Sequence, residues 1–107
     1  MKLSHRHCVP CEGGIPPLPL AAAKRYLKRL KRGWQIKDNK LQKVFRFKNF
    51  VASMGFANQV ALIAQAENHH PDMHIAFAQV EITLWTHAAG GLTENDFVLA
   101  AKTDLLQ

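Results

Sequence analysis

The sequence lacks any apolar run of the ~20 residues that a membrane-spanning helix requires. Its opening, Met-Lys-Leu-Ser-His-Arg-His-Cys, also lacks the apolar core of a secretory signal. Only two of the 107 residues are cysteine, so a disulfide framework is not expected. We therefore expect a cytoplasmic protein with reduced cysteines and no membrane partner, whose 12.0 kDa chain is long enough to build its own apolar core.

Acidic residues are scarce in residues 1–50, which hold thirteen of the fourteen Lys and Arg residues. The densest basic run consists of Lys24, Arg25, Lys28, Arg29, Lys31 and Arg32. Such a run can bind phosphates, or it can be the solvated face of an amphipathic helix with an apolar inner side. That inner side would be Leu20, Ala23, Tyr26, Leu27 and Leu30. Because no aromatic or Gly-rich nucleic-acid motif accompanies the charge, we favour the solvated face and expect no nucleic-acid partner.

The remaining pattern predicts a single domain over residues 1–107, beginning with a Gly/Pro-rich leader at 1–18. Helices are expected at about 19–31, 50–67 and from Thr93 onward. Strands are expected at 34–37, 41–47, 74–79 and 80–86. The element order α-β-β-α-β-β-α predicts an α+β fold, with a four-stranded antiparallel sheet and the helices packed on one face.

Local signals set several of these boundaries. Asn49 is a suitable N-cap for the second helix, and Thr93 with Asp96 three residues later suggests a capping box for the last one. The turn at 38–40 is expected to join the first two strands. In the second helix, spacing predicts an inner stripe of Phe50, Met54, Ala57, Ala61 and Ala64, flanked by Val60 and Ile63. In the last strand, Val80, Ile82 and Leu84 should face one way and Glu81, Thr83, Trp85 and His87 the other.

Three histidines are the candidate chemical groups. His69 and His70 follow the second helix, and His87 ends the last strand. Imidazole exchanges protons near neutral pH, so three rings converging on one ligand could act as acids and bases. A lone histidine would more often be structural, but three at this spacing favour a functional site. We expect His74 to be a surface strand residue.

The run Glu67-Asn68-His69-His70-Pro71-Asp72, the segment from Glu81 to His87 and the segment Gly90-Gly91-Leu92-Thr93-Glu94-Asn95-Asp96 resemble the pterin-4a-carbinolamine dehydratases. The resemblance covers roughly residues 34 to 104. It implies a hydro-lyase that dehydrates 4a-hydroxytetrahydropterin to quinonoid dihydropterin in tetrahydropterin recycling, without a cofactor. It also implies a homodimer or homotetramer.

The resemblance further implies roles for individual residues. His69 and His87 would transfer protons, and His70 would mainly orient the pterin. Substrate-binding candidates are Glu67, Asn68, Trp85, Thr86 and Asp96. The chain departs from the family's usual residues at Gln65, Asn68, Met73 and Trp85.

Two further interpretations stay open. The leader contains His5, His7, Cys8 and Cys11, which could hold Zn²⁺, and a second metal set would be Glu67, His69, His70, His74 and His87. A lone CxxC is a weak signal and adjacent histidines rarely point at one ion, so we expect no metal and a docked, reduced leader. The alternative function is a non-catalytic pterin-fold module that binds a protein or acts as a transcriptional cofactor.

Overall fold

The computed structural model describes residues 2–10 and 15–107. In these ranges the elements are α1 (Leu20–Leu27), β1 (Gln35–Lys37), β2 (Lys40–Arg46), α2 (Phe50–Glu67), β3 (Asp72–Ala76), β4 (Gln79–Leu84) and α3 (Glu94–Asp104). Two short 3-10 helices add Leu3–His5 and His87–Ala89. The strands pair antiparallel in the order β1-β2-β4-β3. The predicted α+β fold and its element order are therefore confirmed.

One face of the sheet carries the core. Leu41 and Phe45 on β2 pair with Leu84 and Val80 on β4, and all four side chains are buried. The helices cover this face, with Phe56 and Val60 of α2 and Phe97 of α3 in the same cluster. The alternation predicted for the last strand is confirmed, since Val80, Ile82 and Leu84 are all fully buried.

The β1–β2 turn follows from its sequence. Asp38 and Asn39 both have positive φ, at 53° and 59°, a conformation that Asn and Asp tolerate better than most residues. The second hairpin differs from the prediction. β3 starts at Asp72, two residues earlier than expected, and Phe77 and Ala78 form a turn where the sequence pattern predicts strand.

Helix α2 has the predicted limits. The Asn49 side chain accepts from the Ala52 N–H at 2.8 Å, and Asn68 closes the helix in the left-handed conformation. The predicted inner stripe is partly wrong, because Phe50 and Ala61 are exposed. Ser53 is buried instead, since its hydroxyl bonds both the Asn49 carbonyl and the Phe77 carbonyl at 3.3 Å.

Helix α1 is shorter than predicted and ends at Leu27. Its basic neighbours are exposed, which agrees with a solvated face, whereas Leu20 is 57% exposed and does not belong to the inner side. At the other end of the chain, Thr93 and Asp96 form the predicted capping box on α3. No helix in the described ranges is long and apolar enough to cross a membrane.

The N-terminal segment packs against the rest of the protein. Leu3 is buried in the core cluster, and the Lys102 ammonium donates to the Ser4 carbonyl at 2.9 Å. Arg6 forms an ion pair with Glu94 at the start of α3. These contacts agree with the expected docked leader and bring residues 7–10 to the region where α2 ends and α3 begins.

Candidate active site

The candidate site lies where the chain leaves α2 and where it leaves β4. Asn68 has φ 53° and turns the chain off the helix axis, and Pro71 prevents the helix from resuming. Asp72 on β3 pairs with Thr83 on β4, so the segment entering β3 and the segment leaving β4 run side by side. This pairing brings His69 and His70 close to His87.

These segments border a cleft of about 480 Å³. It is lined by Val9, Pro10, Asn68, His69, His70, Pro71, Asp72, Trp85, Thr86, His87, Ala88 and Asn95. All three predicted catalytic histidines line this cleft, as do three of the five predicted substrate-binding residues. Glu67 and Asp96 do not line it.

Behind the cleft wall, His69 is held by a buried carboxylate. Its Nε2 lies 2.6 Å from Oδ1 of Asp96, whose side chain is fully buried, while the His69 side chain is 11% exposed. Because an ionised carboxylate only accepts hydrogen bonds, this contact favours the tautomer with the proton on Nε2. The second ring nitrogen, Nδ1, is then a proton acceptor.

The Asp96 carboxylate is fixed in turn by two threonines. Its Oδ2 accepts from the Thr86 hydroxyl and from the Thr93 backbone N–H, both at 2.9 Å. Since the Thr86 hydroxyl proton is used on Asp96, the 2.8 Å contact between the two threonine hydroxyls has Thr93 as donor. The structure places Asp96, a predicted substrate-binding residue, beneath His69, where its hydrogen bond orients that ring.

His87 sits in a loop that the backbone closes tightly. The Thr86 N–H donates to the Gly91 carbonyl at 2.9 Å, and the short 3-10 helix lies between these residues. The Trp85 and His87 rings are in tilted contact, with centroids 3.8 Å apart and planes inclined by 34°. The Lys40 ammonium lies over the Trp85 ring, 4.7 Å from its centroid. His87 is therefore presented at the cleft against an aromatic surface.

His70 is more exposed than His69, and its Nε2 lies 3.2 Å from Oε1 of Gln65. The amide at position 65 thus supports the second ring without adding charge. His74 lies on the edge strand β3, is exposed and does not line the cleft, in agreement with its interpretation as a surface residue.

Glu67 faces the N-terminal segment. Its carboxylate accepts from the Cys8 N–H at 2.7 Å and lies 2.9 Å from Nδ1 of His7. Burial opposes ionisation of this carboxyl, but the Cys8 N–H, the His7 ring and the Lys102 ammonium outweigh it and hold the pKa of Glu67 below its ordinary value. The structure thus places the carboxylate of Glu67, a predicted substrate-binding residue, against the leader.

Of the two proposed metal sets, only Glu67, His69, His70, His74 and His87 lie wholly within the described residues, and they do not form a metal-binding group there. Within residues 2–10 and 15–107, no group of three or more His, Cys, Asp or Glu side chains lies close enough to hold an ion. His7 is engaged by Glu67, and Cys11 lies outside the described residues. Val9, Pro10 and Asn95 were not predicted to border the site, because no sequence signal links residue 9 to a side chain 86 positions away.

Comparison with known proteins places these features in context. The sequence model of the family described as pterin 4 alpha carbinolamine dehydratase matches residues 16–106. A Nitrosomonas europaea protein provisionally named pterin-4-alpha-carbinolamine dehydratase is 48% identical over 104 residues, 97% of this chain and 92% of that protein. A Rubrobacter xylanophilus protein with the same provisional name is 44% identical over 106 residues, 98% of each chain.

One solved structure is also similar. It is a crystal structure of a transcriptional coactivator/pterin dehydratase from Brucella melitensis. The two folds superpose with a TM-score of 0.79, and the sequences are 35% identical. The match covers 84% of this chain and 97% of the other.

Proposed function

This chain belongs to the pterin 4 alpha carbinolamine dehydratase family, and from that membership we propose that it dehydrates a 4a-hydroxytetrahydropterin to the quinonoid dihydropterin. The C4a–O bond breaks as the hydroxyl is protonated and leaves as water. The N5 lone pair forms the C4a–N5 double bond, and N5 loses its proton. Positioned acids and bases supply what this reaction requires, with rate gains of about 10²–10⁴-fold.

The observation that carries this proposal is the His69–Asp96 pair at the cleft wall. Asp96 stabilises the ring when it becomes an imidazolium, and the two threonines keep the carboxylate in place. His69 can therefore take a proton on Nδ1 and return it, as an acid–base catalyst must. A histidine with only a structural role at the surface does not need a 2.6 Å contact with a fully buried carboxylate. This contact therefore favours a catalytic role for His69.

His87 is the proposed partner in proton transfer, and His70 the proposed orienting residue. Both rings line the same cleft as His69, so one small ligand can touch all three. A pterin is flat, and the Trp85 ring offers a flat aromatic border next to His87. Asn68 and the Thr86 backbone border the same space and are proposed to contact the polar edge of the pterin.

The test is the dehydration rate of chemically generated 4a-hydroxytetrahydropterin with wild type and three alanine variants. His69→Ala and His87→Ala should each lower the rate by about 10²-fold or more, because a general acid or base is lost. His74→Ala is the matched control and should keep the wild-type rate, since its ring lies outside the cleft. Equal losses in His74→Ala and His87→Ala would contradict the assignment.

The alternative function is a pterin-fold module that binds a protein or acts as a transcriptional cofactor. The description of the Brucella melitensis protein as a coactivator/pterin dehydratase keeps that alternative open. The imidazole cleft favours the enzyme, because a scaffold has no need of a buried carboxylate behind a histidine. Wild-type protein that binds a partner but leaves the dehydration rate unchanged would favour the module.

We also propose that residues 1–107 act as one cytoplasmic domain that assembles into a symmetric homodimer or homotetramer. The docking of Leu3 in the shared core supports the single domain. Val51, Leu62 and Phe77 are between 70% and 79% exposed, and a symmetric interface would remove such apolar side chains from water.

A further inference from the structure

The segment His7–Pro10 borders the candidate site, and we call it the N-terminal wall. Val9 and Pro10 line the same cleft as the three histidines. They lie before residues 16–106, the part of the chain that matches the family sequence model.

Asn95 holds the wall by both ends of its side-chain amide. Its Oδ1 accepts from the Val9 N–H at 2.9 Å, and its Nδ2 donates to the Val9 carbonyl at 2.7 Å. An amide that pairs with both backbone groups of one residue imitates a neighbouring strand and fixes the position of that residue. Asn95 is 4% exposed, so loss of either bond would leave a buried polar group unsatisfied.

Glu67 fixes the preceding residues of the wall. Its carboxylate accepts from the Cys8 N–H, and it also contacts the His7 ring. Asn95 directly precedes Asp96, and Glu67 precedes Asn68 and His69. The wall is therefore hydrogen-bonded to Asn95, which adjoins Asp96 in the sequence, and to Glu67, which lies two residues before His69.

Anchoring the leader does not by itself account for these bonds. Upstream of the wall, burial of Leu3 and the Lys102–Ser4 bond already attach the chain to the protein. The additional bonds fix the short stretch that faces the cleft. They also hold Val9 62% exposed, although burial of a valine side chain is favourable. An apolar side chain held rigidly at a polar cleft is suited to contact a ligand.

We propose that the N-terminal wall sets the width of the cleft and selects among 4a-hydroxytetrahydropterins by the size of the substituent on C6. Asn95 and Glu67 are its positioning residues, and Val9 makes the contact. This inference rests on the proposed dehydratase function and adds to it a determinant of substrate choice. The histidines act on C4a and N5, which all these substrates share, whereas the wall acts on the part in which they differ.

The experiment compares two carbinolamine substrates, one with a methyl group on C6 and one with the longer dihydroxypropyl chain of biopterin. Val9→Ala should raise KM about tenfold with kcat changed less than twofold, because a lost apolar contact weakens binding by at least this order. Val9→Trp should lower kcat/KM for the longer substrate about tenfold relative to the methyl substrate. Val44→Ala is the matched control, since Val44 is 37% exposed and lies outside the cleft.

Asn95→Ala tests the positioning role. It should raise KM as Val9→Ala does, and it should remove the protection of the Val9 amide from hydrogen exchange. A fall in kcat at unchanged KM would show that Asn95 acts through its neighbour Asp96, and it would overturn the positioning role.

The two proposals fail in different ways. If wild type dehydrates both substrates and the Val9 variants keep its KM and its preference, the wall proposal is wrong and the dehydratase function stands. If wild type accelerates neither substrate, the dehydratase function fails and the substrate selection that rests on it fails with it.

Discussion

Asp96→Asn is the sharpest test of the proposed acid–base pair, because it changes the charge and hydrogen-bonding pattern of a buried group while almost preserving its shape. Asparagine has one acceptor oxygen and one NH₂ donor. The Thr93 N–H can only donate, so the asparagine oxygen must stay on the threonine side. The NH₂ group then faces Nε2 of His69, which can accept only if its proton moves to Nδ1.

The substitution therefore reverses the tautomer of His69 and removes the charge that stabilises the imidazolium. We expect kcat to fall by about 10²-fold or more, within the range that general acid–base catalysis contributes. The bonds to Thr86 and Thr93 can be kept, but the charge-assisted bond to His69 is lost. Because a neutral bond replaces a charge-assisted one, the expected loss of stability is about 1 kcal/mol, which for a chain of this size lowers Tm by roughly 4–8 °C.

Asp104→Asn is the matched control. Asp104 is 3% exposed and accepts from Trp34, Lys43 and the Lys31 N–H at the other end of α3. This variant should also lose stability, but its kcat should stay within twofold of wild type at a temperature where both are folded. The assay is steady-state dehydration, with circular dichroism melts of each variant. An Asp96→Asn enzyme that is folded and has wild-type kcat would refute the role of the pair.

Three further results are expected. Because the pKa of Glu67 is lowered in the folded protein, its contribution to stability is present above its unfolded pKa of about 4.3. That contribution is lost as the pH falls through the lower folded value, and Glu67→Gln should flatten this part of the stability–pH curve. Dihydrobiopterin should shift the ring resonances of His69, His70 and His87 and change tryptophan emission; shifts confined to the basic α1 region would contradict the site. Light scattering should show a dimer or tetramer, and a single 12 kDa species at micromolar concentration would exclude the proposed assembly.

Local signals in the sequence were enough to predict most of the fold. The limits of α2 follow from a capping asparagine at one end and a histidine–proline turn at the other. The buried face of β4 follows from strict alternation. The inner stripe of α2 was harder to predict, because Ser53 is buried for reasons of hydrogen bonding rather than apolarity. Phe50, at the first turn of α2, is half exposed.

The site was predictable in its histidines but not in their surroundings. The sequence motif predicted that the three histidine rings lie close together, and in the structure all three line one cleft. The roles of Glu67 and Asp96 depend on which way their side chains point, which spacing alone does not determine. The N-terminal wall depends on contacts between residues 59 to 86 positions apart, and such contacts leave no periodic trace in a single sequence.

The central claim is that this protein dehydrates 4a-hydroxytetrahydropterin, and the most direct test is the decay of that compound in the presence of the wild-type chain. The rate of decay should rise in proportion to enzyme concentration and should saturate as substrate concentration increases. At saturation it should exceed the spontaneous rate at least about 10²-fold. A His69→Ala/His87→Ala double variant should return it close to the spontaneous value. Decay that is independent of wild-type protein concentration would contradict the account.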